Sequence, residues 1–199
     1  MIAEAEVFLQ ADSAAVRVFS SIRTAQWELE LPPIFDMPGA DQPVPLRLAI
    51  NHYAYDNAWV PDMLSGRTMD EVGRDRYDGD LLGDDPAAAI QAISTAAALA
   101  ARGVTDRAMP VHCSYGDCPA ADYFWQLNIA RTLSANDVAA LTGIPAELPE
   151  SLCQAMFDGT VSGAEMWRSF GIYREPLAAA PDASWRERYL ALTGRNAAP

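Results

Sequence analysis

Ile50-Asn51-His52-Tyr53-Ala54-Tyr55-Asp56-Asn57-Ala58-Trp59 lies within a run from Leu46 to Leu64 in which Leu48, His52, Tyr55, Trp59 and Met63 recur at three- and four-residue spacing. That period is the one an α-helix imposes on its buried stripe, so the run predicts an amphipathic helix. Ser65-Gly66 ends it and Pro61 bends or shortens its last turn. The helix also carries one of the two histidines of the chain. An imidazole near an apolar stripe serves as a metal ligand, a general base or a core histidine, and which of these holds depends on what faces it.

Working outward, Val7, Ala11, Ala14, Ala15, Val18 and Ile22 predict a first helix over residues 3–24. Pro32, Pro33, Pro38, Gly39, Pro43 and Pro45 then fill a stretch that no helix or central strand tolerates, so it reads as a loop. Downstream, residues 67–83 mix acids and arginines with little periodicity and read as a solvated connector. Asp84-Asp85-Pro86 supplies an acidic cap and a proline at the first helical position, opening an alanine-rich third helix that Gly103 closes after Arg102. Residues 109–114 read as a short extended segment before Tyr115-Gly116-Asp117, and Pro119 opens a fourth long helix reaching Thr142-Gly143. Shorter helices follow over about residues 150–157, 164–170 and 184–192. The expected fold is all-α: one domain over residues 1–199, with a four-helix bundle of core helices at about 3–24, 46–64, 86–102 and 119–142 and a C-terminal helical extension over 149–199.

Composition narrows the partners. A chain of 199 residues, half of them hydrophobic, is long enough to bury a sizeable core. Its net charge of −13 repels a phosphate backbone and an anionic membrane surface alike, so neither nucleic acid nor membrane is expected. The N-terminus lacks the basic start and apolar run of a signal peptide, and no stretch approaches the roughly 18 apolar residues that span a bilayer. Three cysteines, Cys113, Cys118 and Cys153, are odd in number and too few for a disulfide framework. A cytoplasmic protein with a small-molecule partner is the expectation, with a homodimer left open.

Several strings together resemble one family. They are Asn51-His52-Tyr53 with Trp59-Val60-Pro61 and Leu64-Ser65-Gly66, then Asp80-Leu81-Leu82-Gly83-Asp84-Asp85-Pro86, and His112-Cys113-Ser114-Tyr115-Gly116-Asp117. The helix end from Asp137 to Thr142-Gly143 and the closing Leu190-Ala191-Leu192-Thr193-Gly194-Arg195 complete the set. In this order they resemble the actinobacterial DinB-like proteins related to mycothiol-dependent maleylpyruvate isomerase, in the branch described as metal-binding. The resemblance implies a four-helix bundle holding a divalent metal between a histidine of the second helix and ligands on the later one. It puts His52 at the first ligand position and Ala130 and Ser134 at the others. A methyl group cannot bind metal, and a neutral serine hydroxyl is a poor zinc ligand. Arg131 adds a fixed positive charge nearby. No metal and no other cofactor is therefore expected.

The candidate catalytic residues are His52, Asp56 and Arg131. His52 and Asp56 stand four apart, so the carboxylate can orient the imidazole as a base-and-orienter dyad, or the two make a structural hydrogen bond. An inward Arg131 can hold a substrate carboxylate or an enolate oxygen, or it can pair with an acid such as Asp56. Tyr55, Trp59, Tyr123, Leu127 and Ser134 are the candidate substrate contacts, the rings reading either as pocket or as core. The stripe Leu127, Ala130, Ser134, Val138 and Leu141 is expected to face the core. His112, Cys113 and Cys118 fall short of a zinc set, and His112 and Cys113, adjacent on an extended segment, point to opposite faces. The chain has neither a Gly-rich phosphate loop nor a G-x-S-x-G elbow. The expected activity is acid/base isomerase, cyclase or lyase chemistry on an actinobacterial metabolite. The alternatives are a mycothiol-dependent transferase or isomerase that retains a metal, and a non-catalytic protein binding a hydrophobic ligand.

Overall fold

The computed structural model describes residues 1–37 and 42–198, so Pro38 and Gly39 of the proline-rich loop lie outside the described residues. The chain is mainly α-helical. α1 spans Ala3–Ser20, α2 Leu46–Leu64, α3 Met69–Val72, α4 Pro86–Arg102, α5 Ala120–Thr142, α6 Glu150–Thr160, α7 Ala164–Ser169 and α8 Trp185–Leu192. This agrees with the helical class expected from the sequence, to which two small antiparallel pairs are added. β1 (Glu30–Leu31) pairs with β2 (Val44–Pro45), and β3 (Pro110–Cys113) pairs with β4 (Gly116–Pro119).

The helix ends follow local chemistry. Asp85 accepts a hydrogen bond from the Ala88 N–H at 3.1 Å and Pro86 needs no partner for its nitrogen, so α4 starts where its caps dictate. α5 ends at Gly143, which takes the left-handed conformation with φ 71°. The first helix is shorter than its apolar spacing suggests. It stops at Ser20, and Thr24–Gln26 form a separate 3-10 turn held by the Gln26 side chain on the Arg23 N–H at 2.9 Å. Within the connector after α2, Thr68 and Glu71 cap each other and nucleate α3. The second strand pair arises because Ser114 and Tyr115 make a two-residue turn and Gly116, with φ 124°, lets the chain fold back on the extended segment.

α1 packs against both α4 and α5, and α4 packs in turn against α2. α5 is buried over most of its circumference, with Phe124, Ile129, Leu133, Ala135 and Ala139 fully enclosed. The C-terminal part is fastened to it: the Tyr189 hydroxyl of α8 lies 2.7 Å from the Thr132 hydroxyl, and Arg195 donates to both oxygens of Asp137. Among the described residues no helix is long and apolar enough to cross a membrane.

The stripe read on α2 coincides with the buried face only in its second half. Leu46, Ile50, Tyr53, Ala54, Asn57, Trp59, Val60 and Met63 are buried, so Trp59 and Met63 of the stripe face inward, whereas Tyr55 is half-buried and Leu48 and His52 are exposed. The reason is Asn57, a polar residue enclosed in the core, whose presence hides the true apolar period. α5 shows the same inversion. Leu127 and Val138 are buried and Ala130, Ser134 and Leu141 only partly so, while Asn128, Arg131, Thr132 and Asn136 are enclosed.

Candidate functional site

Two polar assemblies lie side by side between the long helices, one closed and one open. The closed one centres on Asp12 of α1, which is 2% exposed. Its Oδ1 accepts hydrogen bonds from the Tyr53 hydroxyl at 2.6 Å, Asn57 Nδ2 at 2.7 Å and Arg131 Nε at 3.1 Å. Its Oδ2 accepts from Ser94 of α4. Arg131 also donates to Asn57 Oδ1 and, at 3.1 Å, to the Leu127 carbonyl. The guanidinium lies over the rings of Phe8 and Tyr53, 4.9 and 5.4 Å from their centroids. Every polar group of this cluster meets a partner, which is the condition for a buried charge pair to be tolerated. Arg131 is thus a core residue, committed to Asp12 and Asn57 and not to Asp56 or a pocket wall.

The open assembly is a cavity of about 280 Å³ where α2, α5 and the β3–β4 hairpin converge, at the lower end of the range for small-molecule sites. α2 contributes Tyr55, Asp56, Trp59 and Met63 at helical spacing, and α5 contributes Tyr123, Gln126, Leu127 and Ala130 likewise. Met69 and the hairpin residues Cys113, Ser114 and Tyr115 close the rim. The Tyr115 hydroxyl donates to Gln126 Oε1 at 2.5 Å, tying the hairpin to α5. Of the candidate contacts, Tyr55, Trp59, Tyr123 and Leu127 line this cavity; Ser134 does not. The rings are ordered against one another, with Tyr55 and Trp59 edge to face at 6.2 Å and Trp59 and Tyr77 at 5.0 Å.

Asp56 is the titratable group of most interest here. Burial by its surroundings raises its carboxyl above the ordinary range, and the charges of His52 and Arg131 oppose that rise without cancelling it. With its side chain 41% exposed it remains reachable from solvent. Among the described residues it accepts no hydrogen bond, and its ion-pair neighbour is His52, whose Nε2 stands 3.8 Å from Oδ2. That distance is too long for a hydrogen bond. His52 itself is 75% exposed, stacks on Tyr55 with centroids 6.1 Å apart, and stands beyond the cavity lining. The two side chains are neighbours without a hydrogen bond, Asp56 on the cavity lining and His52 outside it.

Three further groups of the site are shifted toward their neutral forms. Burial raises the Tyr123 and Tyr115 phenols well above their usual value, and pushes the Cys118 thiol up to about 12 with Cys113 beside it. Cys113 and Cys118, on one face of the hairpin, have their sulfurs 3.8 Å apart. His112 sits on the opposite face and pairs with Asp117 at 2.8 Å. The Trp59 indole N–H is buried without a partner among the described residues.

The divalent metal implied by the family resemblance does not fit these residues. His52 is on the rim with one carboxylate near it, Ala130 offers a methyl group, and Ser134 lies off the cavity. Among the described residues no three His, Cys, Asp or Glu side chains come together. The reading from sequence missed Asp12 and Asn57, which hold Arg131, and Ser94, which donates to Asp12, as well as the hairpin contribution of Cys113, Ser114 and Tyr115 and the wall residues Met63, Met69 and Gln126. The Tyr55, Trp59, Met63 spacing was the available signal for the wall. Two further hollows toward the C-terminal part, one beside Glu187 and Arg195 and one beside Asp137 and Arg174, bring no unpaired acid with them, since Asp137 is held by Arg195. Compared with known proteins, the chain matches no protein-family model, no curated protein and no solved structure.

Proposed function

We propose that the chain is a small-molecule enzyme on a DinB-like four-helix bundle, working by acid/base chemistry at Asp56 in the cavity between α2, α5 and the β3–β4 hairpin. The observation that carries this reading is the Asp56 carboxyl: on the cavity lining among aromatic residues, without a hydrogen bond among the described residues, and raised in pKa by burial. A carboxyl whose affinity for protons is moved toward neutrality exchanges a proton with a bound molecule far more readily than an ordinary surface acid. His52, 3.8 Å away and open to water, is placed to pass that proton to and from solvent. Arg131 acts on the site only through its field, lowering the charge cost of Asp56 from within the core.

The reaction class this supports is proton transfer within one substrate, as in isomerisation, cyclisation or elimination. Asp56 removes a proton from one atom and a protonated Asp56, or solvent through His52, returns one to another. The neutral Tyr123 phenol is a donor toward oxygen that gains charge on the way. The test is to incubate the protein with a small-molecule extract and follow every component by mass spectrometry. The wild-type chain converts one component to an isomer or an elimination product, and Asp56→Asn leaves it unconverted while still binding it. A component that binds the wild-type protein and is recovered unaltered identifies a binding protein and overturns the catalytic reading.

A further inference from the structure

The charge inventory of the cavity is one-sided. Among the described residues Asp56 is the only charged side chain on its lining, which includes no lysine, arginine or histidine. The nearest guanidinium, that of Arg131, is turned to Asp12, Asn57 and the Leu127 carbonyl. The Gln126 carbonyl already accepts from Tyr115. The walls include aromatic rings and soft thioethers: Tyr55, Trp59 and Tyr123 with Met63 and Met69.

Each class of guest meets this surface differently. An anion would bring its charge against Asp56 with no fixed cation to offset it. A neutral apolar molecule would strip the remaining water from Asp56 and give that carboxylate nothing in return. A cation supplies the close counter-charge that Asp56 does not find on the cavity lining, since His52 stands outside it at 3.8 Å, and aromatic rings and thioether sulfur attract positive charge. The net charge of −13 concentrates cations around the molecule before they reach the site.

We propose that this cavity receives a small organic cation, an ammonium on a one-ring or similarly compact carbon frame, with Asp56 as its counter-ion and the Tyr55, Trp59 and Tyr123 rings as its walls. The inference rests on the reading of this cavity as the functional site and names the class of molecule it takes. Quaternary and primary ammonium share the recognising chemistry, since neither the ring faces nor the carboxylate charge requires an N–H group.

The test is a calorimetric titration of the full chain with four matched probes: benzyltrimethylammonium, 2-phenylethylamine, neutral 2-phenylethanol and anionic 3-phenylpropionate. Both ammonium probes are expected to bind about tenfold or more tightly than the alcohol, with the anion weakest. In Asp56→Asn, which keeps the side-chain shape and is checked for folding by its melting curve, the cation preference disappears. Binding of the alcohol or the anion as tightly as the ammonium probes overturns the cation assignment and leaves the cavity as a ligand site. No binding by any of the four overturns both. The wild-type series alone decides the charge class, so the outcome does not depend on the variant folding.

Discussion

Asn57 and Asp56 are consecutive on α2 and belong to opposite worlds. Asn57 enters the Asp12–Arg131 cluster, where each donor meets an acceptor and nothing reaches solvent. Asp56 enters the cavity, where a carboxylate of similar size has no hydrogen bond among the described residues. The 100° turn between successive helical residues is enough to separate a group that holds the fold from one that is available for chemistry. The comparison teaches where to look in a helical protein: polar burial that is fully matched marks architecture, and polar burial left unmatched beside a cavity marks a site.

The sharpest way to break the comparison is to unbalance the closed side. Arg131→Met leaves Asp12 buried without its counter-charge and is expected to cost about 3–5 kcal/mol in urea unfolding. Adding Asp12→Asn to that variant should recover part of the loss, since the lone charge is then gone. A cost below about 1 kcal/mol for the single variant would show that the cluster does not hold the helices together.

On the open side the order of effects reverses. Asp56→Asn is expected to lower turnover of the substrate by about a hundredfold or more while shifting unfolding by under about 1 kcal/mol. Equal losses of turnover and stability would place Asp56 with the architecture instead.

The raised Asp56 carboxyl gives a pH signature with a definite sign. The folded state holds this proton more tightly than the unfolded chain, so the wild-type protein loses stability as pH rises from the ordinary carboxyl range through the raised folded value. Asp56→Asn cannot lose that proton. Its melting temperature relative to wild type should therefore climb as pH rises above the ordinary carboxyl range and level off once the folded carboxyl has ionised. A constant difference across that range would mean the carboxyl titrates normally.

The smallest effect is at His52. This exposed imidazole, 3.8 Å from Asp56, should contribute under about 0.5 kcal/mol to stability. Because its charge favours ionised Asp56, His52→Ala should move the Asp56 titration further upward, which carboxyl-carbon NMR would detect.

Much of the helical layout was legible before any coordinates. Asp85-Pro86, Thr142-Gly143 and Ser65-Gly66 are local signals, and local signals survive folding unchanged: α2 and α4 run over the residues their caps indicate. What escaped was the rotation of α2 and α5 about their axes. A hydrophobic period assumes that the core is apolar, and here the centre of the core is Asp12, Asn57, Ser94 and Arg131, drawn from four helices. No single-helix pattern records that these four meet, since their complementarity exists only across elements. For the same reason Tyr55, Trp59 and Met63 read as a stripe but not as a wall, and the hairpin side of the cavity left no periodic trace. Cys113 and Tyr115 reach the site through a turn whose direction Gly116 sets, well away in sequence from the α2 residues they face.

The Asp12–Arg131 pair joins residues 119 positions apart, and this has a consequence for how the chain assembles. Neither charge can leave water early without the other, because a half-formed core would strand an ion in an apolar setting. α1 and α5 must therefore dock in one late and concerted step, after a loop of most of the chain has closed. Such a step couples the first and fifth helices in unfolding as well, so amide exchange along α1 and α5 should report a common opening rather than separate fraying. A nascent chain halted before Arg131 would hold its first helix only loosely, waiting for a partner not yet made.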